Sequence, residues 1–306
     1  MSRFRLGPNR YGKAETHVVR VTRDGGIHHL RDLTVSVALS GDMETVHLTG
    51  DNAAVLTTDT QKNTVFAFAK EYGIDSPEEF GLRLARHFVD SQPTIHHARV
   101  AIEEHSWDRI PATDGDGESA KRQHSFVRSG GETRTAVVHY GTGPGGSGRQ
   151  DTAAHVVSGL TDLVVLNSTD SEFWGYVKDE YTTLEETRDR ILATAVTARW
   201  RHTSAGSTWE ESYTAARRHL LEAFAETYSL SLQQTLYAMG ERLLDARHEI
   251  CEVRLALPNR HHFAVDLEPF GLENDNEVFY AADRPYGLIE GSVVRDGAPD
   301  PGPAWS

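Results

Sequence analysis

Three short segments of this 306-residue chain carry side chains suited to holding a polar ligand and moving protons. In TTDTQKNTV, residues 57 to 65, Thr58 and Asp59 follow the apolar run AAVL, where a strand is expected to stop, and Lys62, Asn63 and Thr64 are placed to open a helix. In LPNRHHFAVDL, residues 257 to 267, Asn259 and His261 are two apart, so in an extended chain both face one side. Pro258 is expected to end the strand before them. In SLSLQQTLY, residues 229 to 237, Ser231 and Gln234 form a capping box. That sets Gln233 in the first turn of a helix, beside free backbone N–H groups and the positive end of the macrodipole, a place for an anion or a carbonyl. Each segment by itself also has a plainer role, as a strand end, a solvated hairpin end or an ordinary helix cap.

Other chemistries lack their parts. The single cysteine, Cys251, leaves no intramolecular disulfide and no multi-thiolate zinc or iron–sulfur site, and fits a reducing compartment. The chain has 16 histidines, but the pairs His28/His29, His96/His97 and His261/His262 are adjacent on strand-like segments. Their side chains alternate between faces and cannot share one ion. There is no HExxH, HxH or Cys–His cluster, so no bound metal is expected. GTGPGGSG, residues 141 to 148, matches GxGxxG, yet it contains a proline, opens no helix and has no GK[ST]; it reads as a linker or hairpin tip. No GxSxG elbow offers an acyl-enzyme nucleophile. A formal net charge of −14 argues against a nucleic-acid partner, although a local basic pocket could still hold a small anion. No apolar run approaches the twenty or so residues of a membrane span, and no apolar leader opens the chain, so neither a membrane nor export is expected.

The elements that must position the three segments follow from apolar periodicity. THVVRVTR (16 to 23), HHLRDLTVSVAL (28 to 39) and METVHLTG (43 to 50) have the period-two, β-branched character of strands. KNTVFAFAKEYG and DSPEEFGLRLARHFVDSQ read as helices; in the second, Ser76, Pro77 and Glu79 form a start signal, and Phe80, Leu84 and Phe88 mark a buried stripe. TIHHARVAIEEHSW and TRTAVVHY return to strand. After the glycine-rich stretch the order repeats: strands in VVSGLTDLVVL and DRILATAVTARWRH, helices starting near Ser207 and at Ser231, then strands in HEICEVRLALP, NEVFYAA and GLIEGSVV. The chain therefore reads as α+β, with two modules, residues 1–145 and 146–306, each an antiparallel sheet with a helix pair on one face. The second module is expected to end in a short disordered tail containing APDPGP.

Five motifs, RYGKAETHVVRV, VLTTDTQKNTV, FWGYVKDEYTTLEETRDRIL, SLQQTLY and LPNRHHFAVDL, occur in an order that resembles the urate oxidase family, from about Arg10 to Arg295. The resemblance implies tandem tunnelling-fold (T-fold) modules in a homotetramer whose sheets join into a barrel, with each active site shared between two chains. It carries a site over to Lys13, Thr58, Asp59, Phe173, Arg190, Leu232, Gln233, Asn259 and His261. Leu232 stands where the family often has valine, and the family uses that residue's backbone amide.

What the resemblance implies suits these residue types. Urate is a flat purine trione, anionic near neutral pH, that can give electrons to dioxygen once a second proton is removed, so no cofactor is needed. Arg190 would form a planar fork to a urate carbonyl and ring nitrogen, Gln233 a complementary amide, and Phe173 a stacking face. Thr58 and Asp59 would meet the opposite edge through backbone N–H groups from a neighbouring chain. Lys13 would hold the Thr58 hydroxyl as a proton relay. His261 would orient that relay, and Asn259 would hold dioxygen and then water. The products would be 5-hydroxyisourate and hydrogen peroxide. The chain ends Ala304-Trp305-Ser306 and not in a Ser-Lys-Leu-type peroxisomal address, which points to a cytoplasmic enzyme. Two other function classes remain open at this stage: a metal-dependent purine or pterin hydrolase on the same fold, and a catalytically silent purine-binding protein.

Overall fold

A computed structural model describes residues 4–111, 123–142 and 152–306. The glycine-rich stretch beyond Thr142, and with it the expected boundary between modules, lies outside the described residues. The chain divides into two compact units: Met1–Ser158, Arg201–Glu210 and Pro299–Ser306 form the first, and Gly159–Trp200 and Glu211–Ala298 the second.

In the first unit, β1 (Tyr11–Asp24) and β2 (Ile27–Gly41) form a long antiparallel hairpin turned at Gly25, whose φ of +57° suits a residue without a side chain. Alternation then buries Val18, Leu33, Val35, Val37 and Leu39 on one face. Residues 43–50, expected as a strand, instead form the short helix α1 (Glu44–Thr49), closed by Gly50 in the left-handed conformation. The apolar pair that mattered was Met43 and Val46, three apart and packed on the core; Leu48, which had completed the apparent alternation, is exposed. Two longer helices follow, α2 (Thr58–Glu71) and α3 (Pro77–Ser91). α3 starts as expected, with Ser76 Oγ accepting from Glu79 N at 3.1 Å, and it buries Phe80, Leu84 and Phe88. The next strands are β3 (Ile95–Glu104), β4 (Trp107–Arg109), β5 (Phe126–Arg128), β6 (Thr133–Thr142) and β7 (Thr152–Asn167), whose start belongs to this unit. The sheet order is β1-β2-β3-β6 and then β7, while β4 and β5 pair separately. α2 lies against β1, and α3 against β3 and β6.

The second unit contains the rest of β7, β8 (Leu192–His202) up to Trp200, most of α4 (Trp209–Glu226), α5 (Leu232–Ala246), β9 (Ile250–Ala264) and β10 (Phe279–Val294). Its strands run in the order β7-β8-β9-β10, and its core joins Leu220, Phe224, Leu236 and Leu243 of the helices to Val196, Val253, Leu255 and Leu257 of the sheet. Each unit is thus a sheet covered by helices around its own apolar core, an α+β arrangement. Pro258 does not stop a strand: it sits inside β9, opposite Leu288, where a missing N–H is tolerated only because that position need not donate to the ladder. NEVFYAA and GLIEGSVV merge into the single strand β10.

The C-terminal segment corrects the expected disordered tail. Pro299–Ser306 groups with the first unit, Ala304 is 3% exposed, and Arg99 Nε donates to the Ser306 carbonyl at 3.1 Å. Its prolines preset turns, with Ala304 N on Pro301 O and Ser306 N on Pro303 O, each at 3.0 Å.

Beneath α3 lies a buried ionic network. Arg134 on β6 donates to Glu78 at 2.8 Å and Glu210 at 2.9 Å and stands 3.5 Å from Glu104. Ser158 Oγ donates to the second oxygen of the fully buried Glu78 at 2.7 Å. Burial pushes the Glu78 carboxyl up, and Arg134 is the main force holding it ionised. Arg134→Met would leave the buried Glu78 without its cation, while Arg31 still reaches Glu104 and Glu210, and the expected loss is about 3–5 kcal/mol in urea denaturation. A loss below about 1 kcal/mol, the scale of a surface pair, would show that the network does not hold α3 in place.

Candidate active site

Of the residues singled out from sequence, Lys13, Thr58 and Asp59 belong to the first unit, and Phe173, Arg190, Leu232, Gln233, Asn259 and His261 to the second.

In the first unit the opening of α2 overturns the expected strand end. AAVL is irregular chain, and the helix begins at Thr58, four residues before Lys62. Leu56 is fixed from both sides, its N–H donating to the Tyr11 hydroxyl at 3.1 Å and its carbonyl accepting from the buried Gln61 amide at 3.3 Å. Thr57 is the cap: its Oγ1 accepts from Thr60 N at 3.0 Å, and its carbonyl accepts the first helical bond, from Gln61 N at 3.1 Å. Thr58 and Asp59 are the first two helical residues, whose N–H groups have no carbonyl within the helix to bond to. The Asp59 carboxylate is drawn back along the helix, to Lys62 Nζ at 2.5 Å and Asn63 Nδ2 at 3.0 Å. Lys62 above all, with smaller help from Asn63 and Lys13, holds it below the usual carboxylate range. The signal for this start was present in the sequence as Thr57 with an acid two residues on.

Lys13 reaches the same side through a β-bulge. Thr16 opposes Val35 and Lys13 opposes Val37, so β1 carries one residue more than β2 between those pairs. Glu15 takes the left-handed conformation there, at φ 55°, and its N–H donates to Ser36 Oγ at 2.9 Å. Directly opposed residues share a face, so Lys13 lies with Val37 and Tyr11 on the face that α2 covers. Strict alternation from Thr16 and Val18 would have sent it to the other face.

In the second unit, residues 168–191 form no regular element, as their lack of period foretold. Phe173 and Thr187 exchange backbone bonds at 2.9 and 3.0 Å. Glu172 N donates to Ser229 O at 2.7 Å and Ser229 N to Asp170 O at 2.8 Å, which ties the Phe173 segment to the chain entering α5. Arg190 Nε donates to Ser171 Oγ at 3.1 Å, and its guanidinium carbon stands 5.1 Å from the centre of the Phe173 ring. Among the described residues no carboxylate pairs with Arg190. Burial lowers its pKa, the mark of a cation short of solvent and of a counter-charge.

α5 opens as the sequence indicated. Ser231 Oγ accepts from Gln234 N at 3.2 Å, and Gln234 Oε1 accepts from Leu230 N at 2.8 Å. Leu232, with a buried side chain, and Gln233, with an exposed one, thereby hold the same two N-terminal positions as Thr58 and Asp59 in α2. On β9, Asn259 opposes Gly287 and His261 opposes Ala282, so residues 283–286 of β10 are left over opposite Arg260, between the two site positions. Both side chains are half-buried. His261 stacks on Phe263, with ring centres 5.7 Å apart. Burial first, and the Arg190 charge second, lower the His261 pKa, so that the neutral ring is the form present near pH 7. Sequence reasoning had no means of finding Ser171, Ser229, Tyr11 or Gln61, which orient the site residues through contacts distant in sequence. It also missed the gathering of His17, Asp32 and His105 in the first unit, side chains of types that can ligate a metal.

The whole-chain comparisons agree with one another. The family model described as Uricase matches residues 9–139 and 156–290. A uricase from Arthrobacter globiformis is 48% identical over 301 residues, covering 98% of this chain and 93% of that protein. The crystal structure of uricase from Arthrobacter globiformis matches with a TM-score of 0.90 at 47% identity, over 99% of each chain. A uricase structure from Bacillus fastidious, at 23% identity, shares the fold with a TM-score of 0.79 over 94% of each chain. With a family model spanning most of its length and a relative nearly half identical from end to end, this chain belongs to the uricase family.

Proposed function

We propose that the chain is a urate oxidase that needs no cofactor, converting urate, dioxygen and water to 5-hydroxyisourate and hydrogen peroxide. The observation that carries this reading is Arg190, a half-buried guanidinium against the Phe173 ring with no carboxylate partner among the described residues. A planar anion fits it: the guanidinium takes a carbonyl and ring nitrogen bidentately, and the Phe173 face takes the purine plane. Gln233 completes that edge. The N–H groups of Thr58 and Asp59, which have no carbonyl within the helix to bond to, offer donors to the opposite edge, from a second chain of a homotetramer in which the sheets form a barrel.

In this reading a base must take the second proton of urate before electrons pass to dioxygen. The Thr58 hydroxyl, held by Lys13, relays that proton, and neutral His261 accepts and returns it. Asn259 holds dioxygen and then the attacking water above the ring. A peroxide forms at the reacting carbon, hydrogen peroxide leaves with the electron pair, and water supplies the hydroxyl of the product. The proposal extends to modules 1–145 and 146–306, supported by the helix-covered sheet in each unit, and to a cytoplasmic enzyme. Among the described residues no helix is long and apolar enough to cross a membrane.

Loss of urate's near-ultraviolet absorbance together with oxygen uptake, in metal-stripped protein, tests the reading; absence of turnover ends it. Thr58→Ala and Lys13→Ala should each lower kcat roughly 10²- to 10⁴-fold and leave urate affinity largely intact. If both abolish binding with no separate effect on rate, the relay is wrong. Because the folded-state pKa of His261 is lowered, its neutral form survives as pH falls toward about 6.5, and activity should decline only below that value. His261→Gln should remove this acid limb from the pH–rate profile; a limb that persists unchanged would assign it to another group. Mixing and reassembling a Thr58 variant with an Arg190 variant, both inactive, should restore part of the activity if one chain supplies each residue, and none if each site is built from one chain.

A further inference from the structure

His17 on β1, Asp32 on β2 and His105, just beyond β3, bring three potential ligand atoms within 4.8 Å of one another. The register explains the meeting. His17 opposes Thr34 and Val19 opposes Asp32, so His17 and Asp32 are diagonal neighbours on one face, while Val18 and Leu33 fill the core on the other. His105 N donates to the Asp32 carbonyl at 2.9 Å and its Nε2 lies 2.8 Å from Thr34 Oγ1, which fixes the second ring beside the first.

The Asp32 carboxylate is only 4% exposed, an unusual place for a charge. One oxygen, Oδ1, faces His17 Nε2 at 2.5 Å. The other accepts from Trp107 Nε1 at 2.9 Å and lies 3.4 Å from Arg128 Nη1, both on the β4–β5 hairpin. The carboxylate is thus gripped from behind at Oδ2 while Oδ1 is turned to the imidazoles, as the outer shell of a metal site grips its ligands. The His17 side chain is 59% exposed, which gives an ion a way in.

We propose that His17, Asp32 and His105 bind a borderline divalent transition ion, Zn²⁺ by preference, which fastens β1 and the β4–β5 hairpin to β2. Two imidazole nitrogens and one carboxylate oxygen suit Zn²⁺ or Co²⁺ with water completing the shell, and they offer too few oxygens for Ca²⁺ or Mg²⁺. Tetrahedral ligands at Zn²⁺ stand ~3.3 Å apart, so the short His17–Asp32 contact opens as the ion enters. The site takes no part in the oxidase reaction, and neither proposal depends on the other.

The test is titration of metal-stripped full-length protein with ZnCl₂ by calorimetry, and with CoCl₂ by visible absorption. One ion per chain is expected, with Trp107 emission altered on binding. His17→Ala, an exposed substitution that leaves the core intact, and His105→Ala should each weaken that ion at least tenfold. His96→Ala, at a separate surface His–Asp pair, should not. If Zn²⁺ fails to bind at one per chain, or binds His17→Ala and His105→Ala as it binds the parent protein, the cluster is a hydrogen-bonded histidine–aspartate group and the proposal is overturned.

Discussion

A half-buried guanidinium that pairs with no carboxylate among the described residues is the constraint on which the second unit's candidate site turns. Arg190 cannot shed its proton near neutral pH, so its burial leaves an electrostatic deficit that Ser171 Oγ and the face of Phe173 reduce but do not cancel. A bound anion cancels it, and a planar anion cancels it with two parallel hydrogen bonds. The surrounding chain serves that geometry. Phe173 is pinned by its backbone exchange with Thr187, and Ser171 by the bridge to Ser229, so ring and guanidinium keep their places before any ligand arrives. The same charge helps to keep His261 unprotonated. The same charge thus bears on the sign of any ligand and, second to burial, on the proton state of His261.

The helix starts apply a second constraint. α2 and α5 are both capped by neutral hydroxyls, Thr57 and Ser231, each of which satisfies a single amide in the first turn. The amides of the first two helical residues remain available, and a neutral cap leaves the positive end of the dipole uncancelled. Asp59 could have cancelled it, but Lys62 and Asn63 hold its carboxylate along the helix. α3 shows the opposite treatment. It too has a serine cap, yet Glu78 sits in its first turn, buried and neutralised by Arg134. That end is sealed as part of the packing. In α2 and α3 the first-turn acid is sent to different places, along the helix in one and into the core in the other.

Elements with strong periodicity were legible in the sequence. α3 and α5 start where their serine caps stand, β2, β3 and β6 follow their alternation, and β1 does so from Thr16 onward. The errors share a physical cause: a local pattern too short to compete with tertiary contacts. Met43 and Val46 count as helix only once the core they touch is known, and AAVL is held as irregular chain by Tyr11 and Gln61. The prolines of the C-terminal segment read as disorder because their turns need Arg99, far away in sequence, to give them a surface. Of the candidate site, residue chemistry alone marked Thr58, Asp59, Gln233 and the Asn259–His261 pair; Lys13, Phe173, Arg190 and Leu232 stood out only through motif resemblance. Ser171, which orients Arg190, carries no signal at all.

Lys13 shows why a site of this kind resists reading by period. In a regular strand, side-chain direction follows from parity, and a lysine three residues from a buried threonine belongs on the opposite face. The extra residue at Glu15 reverses that parity for everything before it, and a glutamate at φ 55° gives no warning that it does so. β10 breaks its ladder in a comparable way opposite Arg260, between Asn259 and His261. The segment carrying Phe173 and Arg190 has no ladder at all. A sheet face offers side chains at fixed intervals and backbone groups already paired, whereas a ligand needs charges and amides at intervals of its own. The polar residues therefore gather where the ladder fails, and those failures are tolerated because the cores beneath them, Val35 and Val37 in the first unit and Leu255 and Leu257 in the second, remain regular.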